Sequence, residues 1–253
     1  AQDDCSADFK GQDGGVELEF YQSVPLAASS AAPCAVTALF DSTWSETARD
    51  SSVSVLVCTP SDTFWLGINR LTTAPGEYFQ ASKMDLPGRR AVARRELKLA
   101  SYDHGLLDIS GIVLGSSAPP GTSFLQRAGV ELLPRPSLRF AGGEKIKVYL
   151  EVYNLSPDSA GIGCFQERVT VALDEEKSAL ARLLGLSSGK TEKSLSMSFE
   201  RMPENNLSSV PESFEIDTSP LMPGVYDLRI EVTDRVSGAR STRGCTFEVI
   251  DQR

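Results

Sequence analysis

Pro75-Gly76-Glu77-Tyr78 and Pro223-Gly224-Val225-Tyr226 are two copies of one short pattern, one in each half of a 253-residue chain. The residues after each copy are alike as well: an alternating run, an Asp (Asp85, Asp234), a Gly-containing turn and an Arg-rich return. The first return is Arg94-Arg95-Glu96-Leu97-Lys98-Leu99, the second Arg243-Gly244-Cys245-Thr246-Phe247-Glu248-Val249. Pro presets φ for a tight turn and Gly tolerates the positive φ beside it, so each Pro-Gly fixes a corner into a strand. The Tyr ring then covers the edge of a sandwich while its hydroxyl caps local backbone. A duplicated closing hairpin means two domains that close in the same way. The sequence therefore predicts an all-β chain of two tandem immunoglobulin-like antiparallel β-sandwich domains, 1–103 and 104–253. The boundary falls in Ala100-Ser101-Tyr102-Asp103-His104-Gly105.

Working outward, period-two alternation recurs on both sides of that boundary. In Lys145–Tyr153, Ile146, Val148, Leu150 and Val152 share one face and Lys145, Lys147, Tyr149 and Glu151 the other, the mark of a half-buried strand. The same reading fits Val169/Val171/Leu173, Leu195/Met197/Phe199, Phe214/Ile216, Tyr226/Leu228/Ile230/Val232 and Cys245/Phe247/Val249. In the first half it predicts strands at Val16–Tyr21, Cys34–Phe40, Ser52–Cys58, Phe64–Leu71, Tyr78–Met84 and Ala91–Leu99. One segment departs from it. Asp174-Glu175-Glu176 supplies an N-cap and an acidic first turn, and Leu180, Leu183 and Leu184 fall on one stripe before Gly185. That predicts a short amphipathic helix inserted in the second domain and packed on a sheet edge.

Composition narrows the function classes. A hydrophobic fraction of 41% and a charged fraction of 23% are those of a folded chain. The net charge of −9 argues against nucleic acid, which needs clustered Lys and Arg. The local run Arg89, Arg90, Arg94, Arg95 is read as the solvated face of a strand and its turn. No stretch has the roughly 18 apolar residues of a membrane-spanning helix. The chain starts Ala1-Gln2-Asp3-Asp4, the kind of end that cleavage of a secretory precursor leaves.

The five cysteines form no Cys-x-x-Cys pair and there is one histidine, so no structural zinc and no cofactor is expected. Disulfides of an oxidising compartment explain them better. If Cys34–Phe40 and Ser52–Cys58 pair as a hairpin around Trp44, Cys34 and Cys58 land opposite each other, which makes them the first expected bridge. Cys164 and Cys245 are the candidates in the second domain, with Cys164 out of phase unless Gly163 makes a bulge. Cys5 is then the spare, unpaired or linking subunits.

Catalytic machinery is not expected. A hydrolytic triad needs a base held by an acid, and His104 stands in the linker with no Gly-x-Ser-x-Gly elbow anywhere. Gly14-Gly15 and Gly142-Gly143 are hairpin punctuation rather than phosphate cradles. Asp217, Asp227 and Asp234 lack the Asp-x-Asp-x-Asp spacing of a calcium loop, so no metal is expected there.

Four segments of the second half stand out together: Leu107-Asp108-Ile109-Ser110-Gly111-Ile112-Val113-Leu114, Leu133-Pro134-Arg135-Pro136-Ser137-Leu138-Arg139-Phe140, the strand Val148–Leu155 and Pro223–Val232. They resemble the last module of bacterial GWxTD-domain proteins. The resemblance covers most of Leu106–Ile250 and extends more weakly to Val16–Pro25 and Pro75–Leu99. The Gly-Trp-x-Thr-Asp motif itself is absent, and Trp44 and Trp65 are not in such a context. The resemblance implies a tandem immunoglobulin-like tail and a bacterial envelope or secreted setting, and no activity.

Two functions are expected from this. One is a non-enzymatic exported structural or assembly protein, a filament or surface-layer subunit joined through strand edges or an N-terminal strand given to a neighbour. The other is a recognition module for a protein or glycan, with Trp44, Phe64 and Trp65 as ligand contacts at one sandwich end. For those three aromatics the competing reading is ordinary packing.

Overall fold

The computed structural model describes residues 2–26, 31–59, 62–118, 124–125, 127–174, 194–203 and 208–251. The chain divides into two compact units, Ala1–His104 and Gly105–Arg253. Among the described residues its elements are β-strands, apart from a 3-10 turn at Gln12–Gly14. The expected helix at 174–184 lies outside the described residues save for Asp174.

In the first unit the strands are β1 (Asp3–Lys10), β2 (Val16–Pro25), β3 (Cys34–Phe40), β4 (Glu46–Val53), β5 (Val55–Cys58), β6 (Thr63–Thr73), β7 (Gly76–Leu86) and β8 (Arg89–Leu99). They form two antiparallel sheets, β1-β2-β6-β5 and β4-β3-β7-β8. At Gly67 the sheets come so close that a Cβ would stand 2.2 Å from that of Ala35, so only glycine fits. Val24, Ala35 and Met84 make an apolar cluster there, with Trp65 packed against it.

Polar side chains also bridge this interior. Gln22 of β2 donates through Nε2 to Thr37 Oγ1 at 2.9 Å and Asn69 Oδ1 at 2.8 Å. Thr37 continues to Ser82 Oγ at 3.0 Å, and Gln80 donates to Ser82. Gln22, Thr37, Asn69, Gln80 and Ser82 are all buried. Buried polar groups are tolerated when satisfied in this way, and the network then fixes one register.

The second unit contains β9 (Asp108–Ile109), β10 (Val113–Ser117), β11 (Leu132–Pro134), β12 (Arg139–Ala141), β13 (Lys145–Tyr153), β14 (Phe165–Leu173), β15 (Ser194–Arg201), β16 (Ser209–Asp217), β17 (Gly224–Asp234) and β18 (Arg240–Ile250). One sheet runs β11-β10-β13-β16 with β9 added to β13; the other runs β12-β18-β17-β14-β15. Pairing is antiparallel except between β12 and β18. Ile146, Val148, Leu150 and Val152 of one sheet pack into a single core with Val169, Val171, Leu228, Ile230 and Val232 of the other. Each such side chain contributes on the order of 1.5–3 kcal/mol of burial. Strand β13 is buried on both faces rather than one. Tyr149 and Tyr153 both donate their hydroxyls to Glu151, at 2.8 and 2.9 Å, and Arg127 joins it at 3.1 Å.

The duplicated pattern forms the same device twice. Tyr78 donates its hydroxyl to Ala74 O at 3.0 Å, and Tyr226 to Met222 O at 2.8 Å, each four residues back. Each Tyr opens an eleven-residue hairpin pair, β7/β8 and β17/β18.

Three expectations need correction. The segment Ser52–Cys58 is not one strand: the chain changes sheet at buried Ser54, so β4 pairs with β3 and β5 with β6. Cys34 therefore stands opposite Val53 and Asp85, and Cys58 opposite Thr63 in the other sheet. The expected Cys34–Cys58 bridge is not formed, and both thiols are free and exposed. Cys164 and Cys245 are free too. Cys164 precedes Phe165, which pairs with Asp234, while Cys245 pairs with Leu228 at the level of Val171. At about 3.3 Å per residue this separates them by roughly 20 Å, far beyond the ~7 Å Cα limit of a disulfide. Residues 3–10 belong to the N-terminal segment expected to give a strand to a neighbour. They pair with β2 in the same chain, from Asp3↔Ser23 to Lys10↔Val16, which places Cys5 opposite Tyr21.

Candidate functional site

The turn joining β3 to β4 is built by Asp41. Its Oδ1 accepts from Thr43 N at 2.8 Å, Thr43 Oγ1 at 2.6 Å and Ser45 N at 3.0 Å. These bonds, led by that of the Thr43 hydroxyl, hold the Asp41 carboxyl below its usual range. Backbone bonds Trp44 N to Asp41 O and Asp41 N to Ser45 O, both 3.0 Å, close the turn. The closure puts Trp44 at φ 64°, a left-handed conformation that glycine or asparagine takes far more readily. A bulky residue there costs on the order of 1–2 kcal/mol.

A ring stack offsets that cost. The Trp44 ring lies on Phe79 of β7 at 4.4 Å and 10° between planes, a contact of about 0.5–1.5 kcal/mol. The indole nevertheless stays 67% exposed. Phe40, Phe79 and Glu96 form one cross-strand row, and Ala38, Ala81 and Arg94 form the next. The small side chains of the second row leave a depression beside the aromatic one. The resulting groove of about 730 Å³ is lined by Phe40, Trp44, Phe79, Ala81, Arg94 and Glu96, with Gln80 and Arg95 completing it.

The charges around the groove differ in how far they are satisfied. Arg49, in the same row beyond Ala38, is held by Glu46 of its own strand, a bond that raises the arginine and lowers the acid. Arg95 donates to Gln80, while its Nη2 stands 3.6 Å from Asp4 and makes no hydrogen bond among the described residues. Arg94 and Glu96 are exposed and have no ion pair among the described residues. The groove thus offers a flat aromatic face, a guanidinium donor and a carboxylate acceptor close together.

Of the three aromatics expected to touch a ligand, the structure leaves only Trp44 open. Phe64 is 3% exposed, and Trp65 packs against Val24. Both sit in β6, Phe64 buried and Trp65 half-buried. His104 is exposed at the end of the first unit. Asp217 ends β16, where it caps Ser219 N at 2.8 Å. Asp234 is buried and caps the β17–β18 turn. Burial pushes its carboxyl up, but bonds from Ser156, Ser237 and Val236 leave it below its usual range. Sequence reasoning missed Phe79 and Arg94, whose meeting with Trp44 depends on strand order.

A second polar feature lies inside the second unit. Glu167 of β14 is fully buried, and neither carboxylate oxygen has a hydrogen-bond partner among the described residues. Burial, and then the charge of Glu212, push it up to about 7 against the pull of Arg201. Burial raises Glu212 as well, although Arg201 Nε stands 3.2 Å from it. This contrasts with Glu151, which is satisfied by two tyrosines and an arginine.

No protein-family model matches the chain, and no curated protein sequence matches it. Among solved structures it is similar to the C-terminal domain of the Streptococcus agalactiae AgI/II polypeptide BspA. That match has 7% identity, covers 96% of this chain and 99% of the other, and has a TM-score of 0.28. It is also similar to the fibronectin(III)-like modules of Clostridium thermocellum CbhA, at 12% identity, 93% and 85% coverage and a TM-score of 0.20. No helix among the described residues is long and apolar enough to cross a membrane.

Proposed function

We propose that the chain is a non-enzymatic, extracytoplasmic recognition module of two tandem immunoglobulin-like sandwiches, and that it binds a saccharide in the Trp44 groove. The extracytoplasmic setting rests on the sequence resemblance to the envelope-associated GWxTD modules. The observation that carries the binding role is Trp44: a large apolar ring kept 67% exposed at a strained backbone position and stacked on Phe79. Strained residues of this kind persist where the surrounding structure fixes them, and they gather at binding sites. A flat aromatic face suits the C–H face of a pyranose, and Arg94 and Glu96 offer a donor and an acceptor for neighbouring hydroxyls. A volume of about 730 Å³ falls within the range of small-ligand clefts.

The test is calorimetric titration of the full chain with a panel of oligosaccharides, repeated with Trp44→Ala. A central aromatic anchor contributes about 2 kcal/mol or more, so the variant should bind at least about 30-fold more weakly. Absence of any saccharide binding, or equal binding by the variant, overturns the reading. Tight binding of a peptide panel in place of sugars assigns the groove to a protein partner instead. The structural or assembly role remains a second reading, favoured by one strand edge of the first unit.

A further inference from the structure

We propose that two copies of this chain associate edge to edge through strand β5 of the first unit, antiparallel across a two-fold axis. Strand β5 ends its sheet and, among the described residues, pairs only with β6. Among the described residues its other edge has no strand partner, and such an edge is a template for one more strand. Natural edges are usually protected by shortness, charge, proline or a bulge; β5 is short, at four residues, but Val55-Leu56-Val57-Cys58 has no charged residue and no proline.

The other edges of this unit are protected. Strand β1 carries Asp3, Asp4 and Asp8; β4 carries Glu46, Arg49 and Asp50; β8 carries Arg89, Arg90, Arg94, Arg95, Glu96 and Lys98. This difference selects the partner. In a two-fold contact each strand meets its own copy, so β1 would set acid against acid and β8 would bring two strands of net positive charge together. Strand β5 meets itself with no like charges. Around it Val53 is 73% exposed, Val55 43% and Leu56 46%, an apolar run at the point where the chain changes sheet. A second copy covers this run and supplies a strand partner in one step.

The test is sedimentation velocity on the full chain from about 1 to about 200 μM, with amide exchange at both ends of that range. The dimer fraction should rise with concentration, and amides within Val55–Cys58 should gain protection with it. Leu56→Lys places two lysines at the contact, because each copy carries one, and should weaken association at least tenfold. Should that variant misfold, concentration-dependent protection in the unaltered chain decides alone. A monomer throughout, a dimer without protection of β5, or association unaffected by a folded Leu56→Lys overturns the proposal. Open-ended oligomers overturn the two-fold form of it. The Trp44 groove lies on other residues, so failure here leaves the saccharide reading standing.

Discussion

Glu167→Gln tests whether the second unit carries an ionisable group at an energetic cost. In the folded chain burial and the neighbouring Glu212 charge bring the Glu167 carboxyl to about 7, against an ordinary 4.5. At about 1.36 kcal/mol per pH unit, that gap amounts to about 3 kcal/mol favouring the protonated form in the fold. The side chain is fully buried, so solvent does not screen it. Between about pH 4.5 and about pH 7 the folded state holds a proton that the unfolded state has released. Stability therefore falls as pH rises through that window and levels off above it. Glutamine has the same shape and no charge at any pH. The variant should match the parent near pH 4 and exceed it by about 2–3 kcal/mol near pH 8. Urea melts of both proteins across this range, compared as a difference, isolate the effect from all carboxylates they share. An unchanged slope against urea would show that only stability moved. A difference that is flat with pH, or a variant less stable near pH 8, refutes the reasoning, because either outcome means that Glu167 is solvated or paired in solution.

The remaining predictions concern the first unit and the repeated tyrosines. Trp44→Ala keeps the left-handed backbone and loses the stack, so it should lower stability by about 1 kcal/mol. Trp44→Gly loses the same stack but relieves the backbone, and should melt close to the parent and about 1 kcal/mol above the alanine variant. Tyr226→Phe removes the bond to Met222 O from a residue 1% exposed, and should cost about 1 kcal/mol or somewhat more. Tyr78→Phe should cost less, because Tyr78 is only half-buried. Thiol labelling of the native chain should modify exposed Cys34 and Cys58 first and Cys245 last, since burial pushes the Cys245 thiol up to about 12. Mass mapping of the labelled peptides gives the order, and rapid labelling at Cys245 would contradict the burial.

How far the sequence could be read depended on whether a feature is local. The two Pro-Gly-x-Tyr corners were legible because the hydroxyl reaches a carbonyl four residues back, within the same short segment. Strand β13 was legible from alternation, but not its second buried face, because what covers Tyr149 and Tyr153 lies elsewhere in the chain. The crossing at Ser54 left little mark: Val53, Val55 and Val57 keep one phase straight through it, and only the sheet pairing shows that β4 and β5 belong to different sheets. The disulfide expectation failed at that residue. Two further signals do stand in the sequence. Cys5, Ala7 and Phe9 alternate with Asp4, Ser6 and Asp8, which is the pattern of β1. Glu167 falls in phase with Phe165, Val169 and Val171, an acid in an apolar row. The same mismatch is shared by Trp44 and Glu167. Trp44 is an indole where the turn geometry favours glycine, and Glu167 is a carboxylate where the strand pattern calls for valine. Each goes against its local rule at a cost of about 1 kcal/mol or more, and only Trp44 has a visible offset, the stack on Phe79. An uncompensated cost marks a position that packing alone would not select. For Trp44 the proposed saccharide contact would supply the reason, and for Glu167 the difference in stability between pH 4 and pH 8 shows whether the cost is real.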